Sequence, residues 1–326
     1  MTSPHRPYHA PAWLPGGHAQ TLWPLLIKPP RIALRRERWT TPDDDFIDVD
    51  RLDGPADAPL LVLFHGLEGS ACSHYVRSTA AACRARGWRF AMPHFRGCSG
   101  ELNHQPRAYH SGDSAEIDWI LRRLKAENPD HLLHAAGVSL GGNALLKWAG
   151  EQGAAAGKIV SGVAAICPPL DLAACGHHLA RGFNKLYTHH FLNTLKAIST
   201  ARLQRFPGLF DAARMRAASN LWEFDDAVTG PVHGFAGADD YWAKSSAKPF
   251  LKTIAVPALA VNPKNDPFLP ARFLPRRDEV SASVRLEHPD TGGHVGFVNG
   301  PFPGKLDWLP QRLLHFFTHE ITPPPP

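Results

Sequence analysis

Short apolar runs alternate with helical segments along most of the chain, and this alternation limits its possible folds more than any other feature. The run 60–64 (LLVLF) is continuously apolar, which is typical of a strand buried on both faces. Further strands are predicted at 88–92, 132–138, 159–167, 257–261 and 284–286, and helices at 73–86, 114–127, 140–152 and 306–320. This order predicts an α/β fold with a mostly parallel central sheet flanked by helices.

Residues 168–250 interrupt the alternation. They contain helical stretches at 179–199 and 212–222 and no strong strand, so we expect a helical cap inserted between two strands of the sheet. The predicted division is 1–167 and 251–322 for the α/β core, 168–250 for the cap and 323–326 for a proline tail. On this division the 326 residues form one functional unit.

Charge gives little support to a nucleic-acid partner. The chain carries 35 lysines and arginines against 30 aspartates and glutamates, a net charge of +5, and the two signs are interspersed. The densest basic run, Arg35, Arg36 and Arg38, contains Glu37 and is interpreted as the solvated face of a strand. We expect no nucleic-acid partner, and a non-catalytic binding protein that uses a basic surface is kept as an alternative.

Neither the cysteines nor the histidines are spaced as metal ligands. The five cysteines form no C-x-x-C pair, which favours reduced thiols and a cytoplasmic location; they are Cys72, Cys83, Cys98, Cys167 and Cys175. The adjacent histidines at 177–178 and at 189–190 would point in different directions on a helix. We therefore expect no metal. No segment has the pattern of a signal peptide or the length of a transmembrane helix.

The sequence GVSLG at 137–141 lies between a predicted strand and a predicted helix. It matches G-x-S-x-G, a pattern that requires this context. Small residues at Gly137 and Gly141 would let a sharp, strained turn close without a steric clash, so that Ser139 projects from the edge of the sheet at a helix N-terminus. Ser139 is the predicted nucleophile.

A serine hydroxyl needs a base to remove its proton, and that base needs an acid to orient it. In a strand–serine–helix arrangement the acid and the histidine follow the serine along the chain. Asp266, after the strand at 257–261, and His294, after the strand at 284–286, occupy such positions. Asp171 and Asp290 are the competing acids.

An oxyanion formed at Ser139 would need two backbone N–H donors. The residue after the nucleophile, Leu140, supplies one at the helix N-terminus. The loop HGLEGS at 65–70 directly follows the first buried strand, and Leu67 in that loop is the expected second donor.

These segments resemble the α/β-hydrolase superfamily and, within it, the YheT-like esterase family. The matching stretches are GHAQT (17–21), HGLEGS (65–70), FRGCSG (95–100), YHSGD (109–113), GVSLGGN (137–143), NDP (265–267) and GHVG (293–296). The resemblance implies carboxylic-ester hydrolysis without a cofactor, with Ser139, Asp266 and His294 as the triad. It covers nearly the whole chain except 168–250, where the substrate pocket would be lined.

The expected reaction is hydrolysis of short- to medium-chain acyl esters through an acyl-enzyme, with a small-molecule ester as the binding partner. Transfer of the acyl group to another alcohol or to a thiol is the alternative. The cap aromatics would wall an acyl pocket or pack in an ordinary core; they are Trp222, Phe224, Tyr241 and Trp242. Arg96 and Asp113 are expected either to pair and brace the pocket loops or to lie exposed and unpaired.

Overall fold

An eight-stranded sheet runs through the part of the chain that the computed structural model describes, residues 7–321. The strands are β1 (Arg35–Thr40), β2 (Phe46–Leu52), β3 (Leu60–Phe64), β4 (Arg89–Pro93), β5 (Leu133–Val138), β6 (Gly162–Ile166), β7 (Ala258–Val261) and β8 (Val284–Glu287). Their order across the sheet is β1-β2-β4-β3-β5-β6-β7-β8. β1 and β2 pair antiparallel, β2 joins β4 antiparallel, and all other neighbours are parallel. The predicted α/β fold with a mostly parallel sheet is confirmed.

Eleven α-helices accompany the sheet within the described residues. They are α1 (Gly17–Leu22), α2 (His74–Ala85), α3 (Ser114–Glu127), α4 (Leu140–Gln152), α5 (Leu172–Leu179), α6 (Lys185–Arg205), α7 (Ala212–Ala217), α8 (Leu221–Phe224), α9 (Gly230–His233), α10 (Ala238–Ser245) and α11 (Trp308–His315). A π-helical turn at Asp225–Thr229 joins α8 to α9, and another at Phe316–Glu320 extends α11.

The central strands are apolar on both faces because helices cover both sides of the sheet. Leu60, Val62 and Phe64 of β3 belong to the same apolar cluster as residues of α3 and α4. Leu61 and Leu63 belong to a second cluster with residues of α2 and α11. Successive side chains of a strand point to opposite faces of the sheet. Because both faces of β3 are covered, every position of the strand is apolar, which gives the continuous run at 60–64.

The chain between β6 and β7 carries α5 to α10 and no strand. Its apolar side chains form small clusters of their own; one of them gathers Leu192, Phe210, Met215 and Phe224. The helix predicted at 179–199 begins later, at Lys185 of α6, because the chain turns after α5 at Gly182, whose φ of 55° is in the left-handed region that glycine tolerates. We call residues 168–250 the cap.

The basic run Arg35, Arg36 and Arg38 lies on the solvent-exposed part of β1, as expected. Each of these arginines pairs with an aspartate of β2 or directly after it. Neither expectation for Arg96 and Asp113 is correct. Arg96 is 4% exposed and pairs with Glu116, Asp43 and Asp45, whereas Asp113 accepts from Arg107.

No helix formed by residues 7–321 combines the length and the apolar composition that crossing a membrane requires. The proline tail at 323–326, residue 322 of the predicted core and residues 1–6 lie outside the described residues.

Candidate active site

Ser139 lies on a sharp turn between β5 and α4. Its φ of 50° and ψ of −119° are strained for a residue with a side chain, a conformation that costs of order 1–3 kcal/mol and persists only where its surroundings impose it. The Ser139 N–H donates to Ile166 O at the end of β6 (2.8 Å), and Ser139 O accepts from Asn143 of α4 (3.0 Å). The turn is therefore fixed by the sheet on one side and the helix on the other.

The two glycines that flank Ser139 are required by close backbone approach. A Cβ on Gly137 would overlap the carbonyl of Gly141, and a Cβ on Gly141 would overlap the carbonyls of Phe64 and His65 at the end of β3. Both conflicts are with backbone, which cannot move aside as a flexible side chain can. The pattern G-x-S-x-G thus lets the end of β3 and the start of α4 meet beside Ser139.

His294 connects Ser139 to Asp266. The Ser139 Oγ is 2.9 Å from His294 Nε2, and His294 Nδ1 is 2.9 Å from Asp266 Oδ2 and 3.2 Å from Oδ1. Ser139 follows β5, Asp266 follows β7 and His294 follows β8, so all three lie at the carboxyl edge of the parallel strands, the edge where open α/β sheets bind ligands.

The hydrogen bonds fix the tautomer of His294. An ionised carboxylate only accepts hydrogen bonds, so the proton between His294 and Asp266 is on Nδ1. Nε2 is then unprotonated and accepts from the Ser139 hydroxyl. The Asp266 carboxylate is 4% exposed and also accepts from the Phe268 N–H at 2.8 Å. The ring of Phe268 stacks on the His294 imidazole, with centroids 3.9 Å apart.

The loop that carries His294 is held by α1, at the other end of the chain. The His294 N–H donates to Thr21 Oγ1 (2.8 Å), and the Gly292 N–H donates to Gln20 Oε1 (2.8 Å). Gln20 Oε1 also accepts from Asn265 Nδ2 (2.9 Å), and Asn265 Oδ1 accepts from the Gly293 N–H (3.0 Å). Gln20 and Asn265 therefore join the Asp266 loop to the His294 loop.

Backbone donors on the β3 loop lie next to Ser139. A Cβ built on Gly66 would be 3.3 Å from Ser139 Cβ, so this loop packs directly against the serine. The N–H groups of Gly66 and Glu68 donate to the hydroxyls of Tyr75 and Tyr109, both at 3.0 Å. The Leu67 N–H between them has no acceptor among the described residues. It is free to receive an acceptor from a ligand.

The other expected donor, Leu140, is the first residue of α4. Its N–H is among the first four of a helix, which have no partner within the helix. Leu67 and Leu140 both line the cavity into which Ser139 opens. The structure thus brings together all five predicted site residues; their roles in a reaction stay predictions.

His65, at the start of the β3 loop, is a structural residue that the sequence analysis did not single out. Its Nδ1–H donates to Gly66 O (2.7 Å), and its Nε2 accepts from the Phe95 N–H (3.0 Å). Full burial lowers the pKa of His65 to about 3, so the ring is neutral. A neutral ring can both donate and accept, and so it ties the β3 loop to the loop after β4.

The two competing acids have other contacts. Asp171 caps the N-terminus of α5, where its Oδ1 accepts from the Ala174 N–H at 2.9 Å. Asp290 is exposed and lies 2.7 Å from Lys264 Nζ, whose charge lowers the pKa of that carboxyl. Neither is hydrogen-bonded to His294.

A largely apolar pocket with a free volume of about 150 Å³ lies between Ser139 and the cap. Three of the four predicted cap aromatics line it: Phe224, Tyr241 and Trp242. Trp222 does not; its Nε1–H donates to the exposed Asp239 instead. Helix α6 adds a stripe at helical spacing, consisting of Phe191, Leu195, Ile198, Ser199 and Arg202.

Among the described residues, only Cys167, Asp266 and His294 bring three potential metal ligands within 4.8 Å of one another. Metal binding requires a deprotonated thiol, whereas burial raises the pKa of Cys167 well above its ordinary value. The Asp266 and His294 atoms are already engaged with each other and with Ser139. These residues are therefore poorly suited to hold a metal ion.

Comparison with known proteins agrees with this architecture. A family model described as the alpha/beta hydrolase fold matches residues 59–301. The chain is 36% identical over 307 residues to the putative esterase YheT of Escherichia coli, covering 92% of this chain and 90% of that protein. It is 26% identical to the human phospholipase ABHD3, covering 95% of this chain and 78% of that protein.

Among solved structures, the Pyrococcus furiosus esterase Pf2001 superimposes with a TM-score of 0.57 at 16% identity, covering 91% of this chain and 98% of that one. At this identity the likeness concerns the fold alone. The family model and the relative in Escherichia coli show that the chain belongs to the α/β-hydrolase family and to its YheT-like esterase branch.

Proposed function

We propose that this α/β hydrolase cleaves carboxylic esters of short to medium acyl chains through an acyl-enzyme on Ser139. The observation that carries the proposal is the continuous hydrogen-bonded chain from Ser139 Oγ through His294 to Asp266. The names of the relatives, an esterase and a phospholipase, point in the same direction.

In the acylation step His294 Nε2 removes the Ser139 proton as the serine oxygen attacks the ester carbonyl. The tautomer assigned above leaves Nε2 ready to accept that proton, and Asp266 stabilises the imidazolium that forms. The N–H groups of Leu67 and Leu140 hydrogen-bond the oxyanion; one such donor is typically worth about 10²–10³ in kcat. His294 then protonates the departing alcohol.

In the deacylation step a water molecule takes the place of the alcohol. His294 removes a proton from that water as the water oxygen attacks the acyl carbonyl, and the tetrahedral intermediate again faces the two N–H donors. His294 then returns the proton to Ser139 Oγ as the bond between Oγ and the acyl carbon breaks, which releases the carboxylic acid and the free serine hydroxyl. Phe268, stacked on His294 and hydrogen-bonded to Asp266, keeps the ring in the plane that both steps use.

The pocket supports a limit on the acyl chain. Its free volume of about 150 Å³ equals that of an apolar cavity which holds a benzene molecule. We therefore expect acyl groups of roughly this bulk to fit, and long fatty-acyl chains to fit only if the cap rearranges.

Labelling with a fluorophosphonate probe tests the proposed nucleophile. The wild type should be labelled at Ser139, and Ser139→Ala should lose both the label and the hydrolysis of p-nitrophenyl butyrate. Ser283→Ala is a matched control, because Ser283 precedes β8 at the amino edge of the sheet, opposite the site. An unlabelled wild type, or a labelled Ser139→Ala, would overturn the proposal.

A panel of p-nitrophenyl esters from acetate to palmitate tests the acyl-chain limit. The value of kcat/KM should be highest for acetate to hexanoate and should fall for decanoate and palmitate. A maximum at palmitate would contradict the proposed limit and leave the nucleophile unaffected.

A further inference from the structure

Arg202, on the cap helix α6, is a buried arginine that takes no part in the proposed reaction. Its side chain is 4% exposed and lines the same pocket as Ser139. Its guanidinium lies beside the loop after β4: the Arg202 Nη2 atom would be 3.5 Å from a Cβ built on Gly97 in that loop. The charge is thus held where the cap meets the core.

The guanidinium has no anionic partner among the described residues. Its Nε is buried and no acceptor lies within hydrogen-bond distance, and no carboxylate oxygen of residues 7–321 lies within 4.0 Å of its nitrogens. Arginine stays charged in proteins, and an uncompensated buried charge is costly. An anionic ligand bound at the guanidinium would compensate this charge.

Arg96, which lines the same pocket, shows what a structural arginine looks like here. It is equally buried, at 4% exposed, but its nitrogens donate to Glu116, Asp43 and Asp45 at 2.6 to 3.0 Å. The two arginines therefore differ in partners and not in burial. The guanidinium of Arg96 is hydrogen-bonded to carboxylates of the protein, whereas the guanidinium of Arg202 lines the pocket without a carboxylate partner among the described residues.

The position of Arg202 along α6 relates it to the reacting ester. Phe191, at the other end of the pocket-lining stripe, contacts Phe268 with ring centroids 5.8 Å apart, and Phe268 stacks on His294. Arg202 comes eleven residues after Phe191, which corresponds to about 16 Å along a helix axis. The apolar stripe between them would contact the body of a substrate while Arg202 contacts a group at its far end.

We propose that Arg202 binds an anionic group carried by the ester substrate, a carboxylate or a phosphate; this inference rests on the proposed esterase function. The flat guanidinium offers paired N–H donors that match both groups. The neighbouring ionisable groups are Tyr109, Cys98, Glu68 and Asp45, and His233 of the cap, which lines the same pocket. Tyr109 donates to Glu68 at 2.6 Å, and burial raises the pKa of Glu68.

Matched ester pairs test the proposal in the wild type and separate the two sources of the anion. Mono-p-nitrophenyl adipate against p-nitrophenyl hexanoate places a carboxylate on the acyl side. Hexanoylglycerol phosphate against hexanoylglycerol places a phosphate on the alcohol side. The anionic member of one pair should be preferred in kcat/KM by roughly 10- to 100-fold, the range expected for hydrogen bonds to a charged group.

Variants assign the preference to Arg202. Arg202→Met should bring the ratio of kcat/KM for the anionic and the neutral member close to 1, and Arg202→Lys should keep part of the wild-type ratio because lysine keeps the charge but not the paired donors. Arg205→Met is the control, because Arg205 is exposed on the same helix and outside the pocket. The Tm of ligand-free Arg202→Met should equal or exceed that of the wild type, since the variant removes an unpaired buried charge.

The outcomes distinguish this inference from the function on which it rests. Cleavage of the neutral esters with no preference for either anionic member, or a preference that persists in Arg202→Met, would overturn the anion site alone. A wild type that cleaves no ester but whose Tm rises with adipate and not with hexanoate, through Arg202, would support the anion site and overturn the proposed hydrolysis. A lower Tm of ligand-free Arg202→Met would indicate a structural role and count against the proposal.

Discussion

The α/β core and the cap face each other across one pocket but are built differently. Around Ser139, the core places polar groups from α1 and from the loops after β3, β5, β7 and β8, and nearly all of them are hydrogen-bonded to one another. The cap contributes mostly apolar side chains; Arg202 and His233 are the exceptions that bring buried polar atoms without a hydrogen-bond partner among the described residues. We infer that the core determines whether an ester is cleaved and the cap determines which ester is preferred.

A change to His294 gives the largest effect expected from this division. His294→Ala should lower kcat by about 10⁶, the loss expected when one member of a unit that acts together is removed. The factor should be the same for p-nitrophenyl acetate and hexanoate, because the lost group acts on the reacting atoms of both. The exposed His319 provides the control His319→Ala, which should retain full activity. A factor that depends on acyl length would break the proposed division.

The acid should matter nearly as much as the base. Asp266→Asn should lower kcat by about 10⁴, because an amide facing Nδ1 favours the wrong imidazole tautomer. Asp171→Asn and Asp290→Asn are matched controls, since these carboxylates contact Ala174 and Lys264 instead of His294. Steady-state kinetics of the three variants gives the comparison, and a large loss in either control would reassign the acid.

Changes in the cap should alter selectivity more than rate. Leu195→Phe adds bulk to the pocket stripe of α6 and should lower kcat/KM for p-nitrophenyl hexanoate by roughly 10-fold or more, the scale of a misfit in an apolar pocket. Hydrolysis of the acetate should be nearly unaffected. Ala197→Phe adds similar bulk on the exposed face of the same helix and should change neither. Equal losses for both esters would show that α6 also supports the chemistry.

The smallest effect concerns an acid in the wall of the pocket. Asp225 accepts from Thr229 Oγ1 (2.6 Å) and Trp242 Nε1 (2.8 Å), and burial raises its pKa to about 6. Because this value lies above that of an unfolded aspartate, the stability gained from its protonated form is fully present below about pH 4 and is lost as pH rises through about 6.

Asp225→Asn removes that pH dependence. The variant should have a Tm a few degrees above that of the wild type at pH 8, and the difference should disappear toward pH 4.5. Asp239→Asn, at an exposed position in the cap, should show no such trend. A difference between Asp225→Asn and the wild type that stays constant across pH would contradict the burial of this carboxyl.

The order of strands and helices and the position of Ser139 follow from local patterns. The runs at 60–64 and 140–152 predict β3 and α4 with their observed bounds, because burial on both faces and helical spacing are visible within a few residues. β6 begins at Gly162 and not at 159, since Ile159 and Val160 follow a 3₁₀ turn that the apolar pattern alone does not reveal.

The contacts that hold the site could not be predicted in the same way. Thr21 and His294 are hydrogen-bonded although they are 273 residues apart, and no local pattern indicates such a pair. GHAQT was noted only through the family resemblance. Nothing in the cap sequence indicates that Arg202 faces the pocket without a partner, because that depends on how α6 packs over the loop after β4. Both features depend on packing between distant parts of the chain, which the local spacing of residue types does not reveal.

Trapping the acyl-enzyme tests the central claim most directly. The wild type would be mixed with p-nitrophenyl hexanoate, quenched in acid within the first turnover, digested and examined by mass spectrometry. The account predicts a hexanoyl group on the Ser139 peptide, and its absence in Ser139→Ala together with the loss of turnover. A hexanoyl group on another side chain, or continued turnover by Ser139→Ala, would contradict the account.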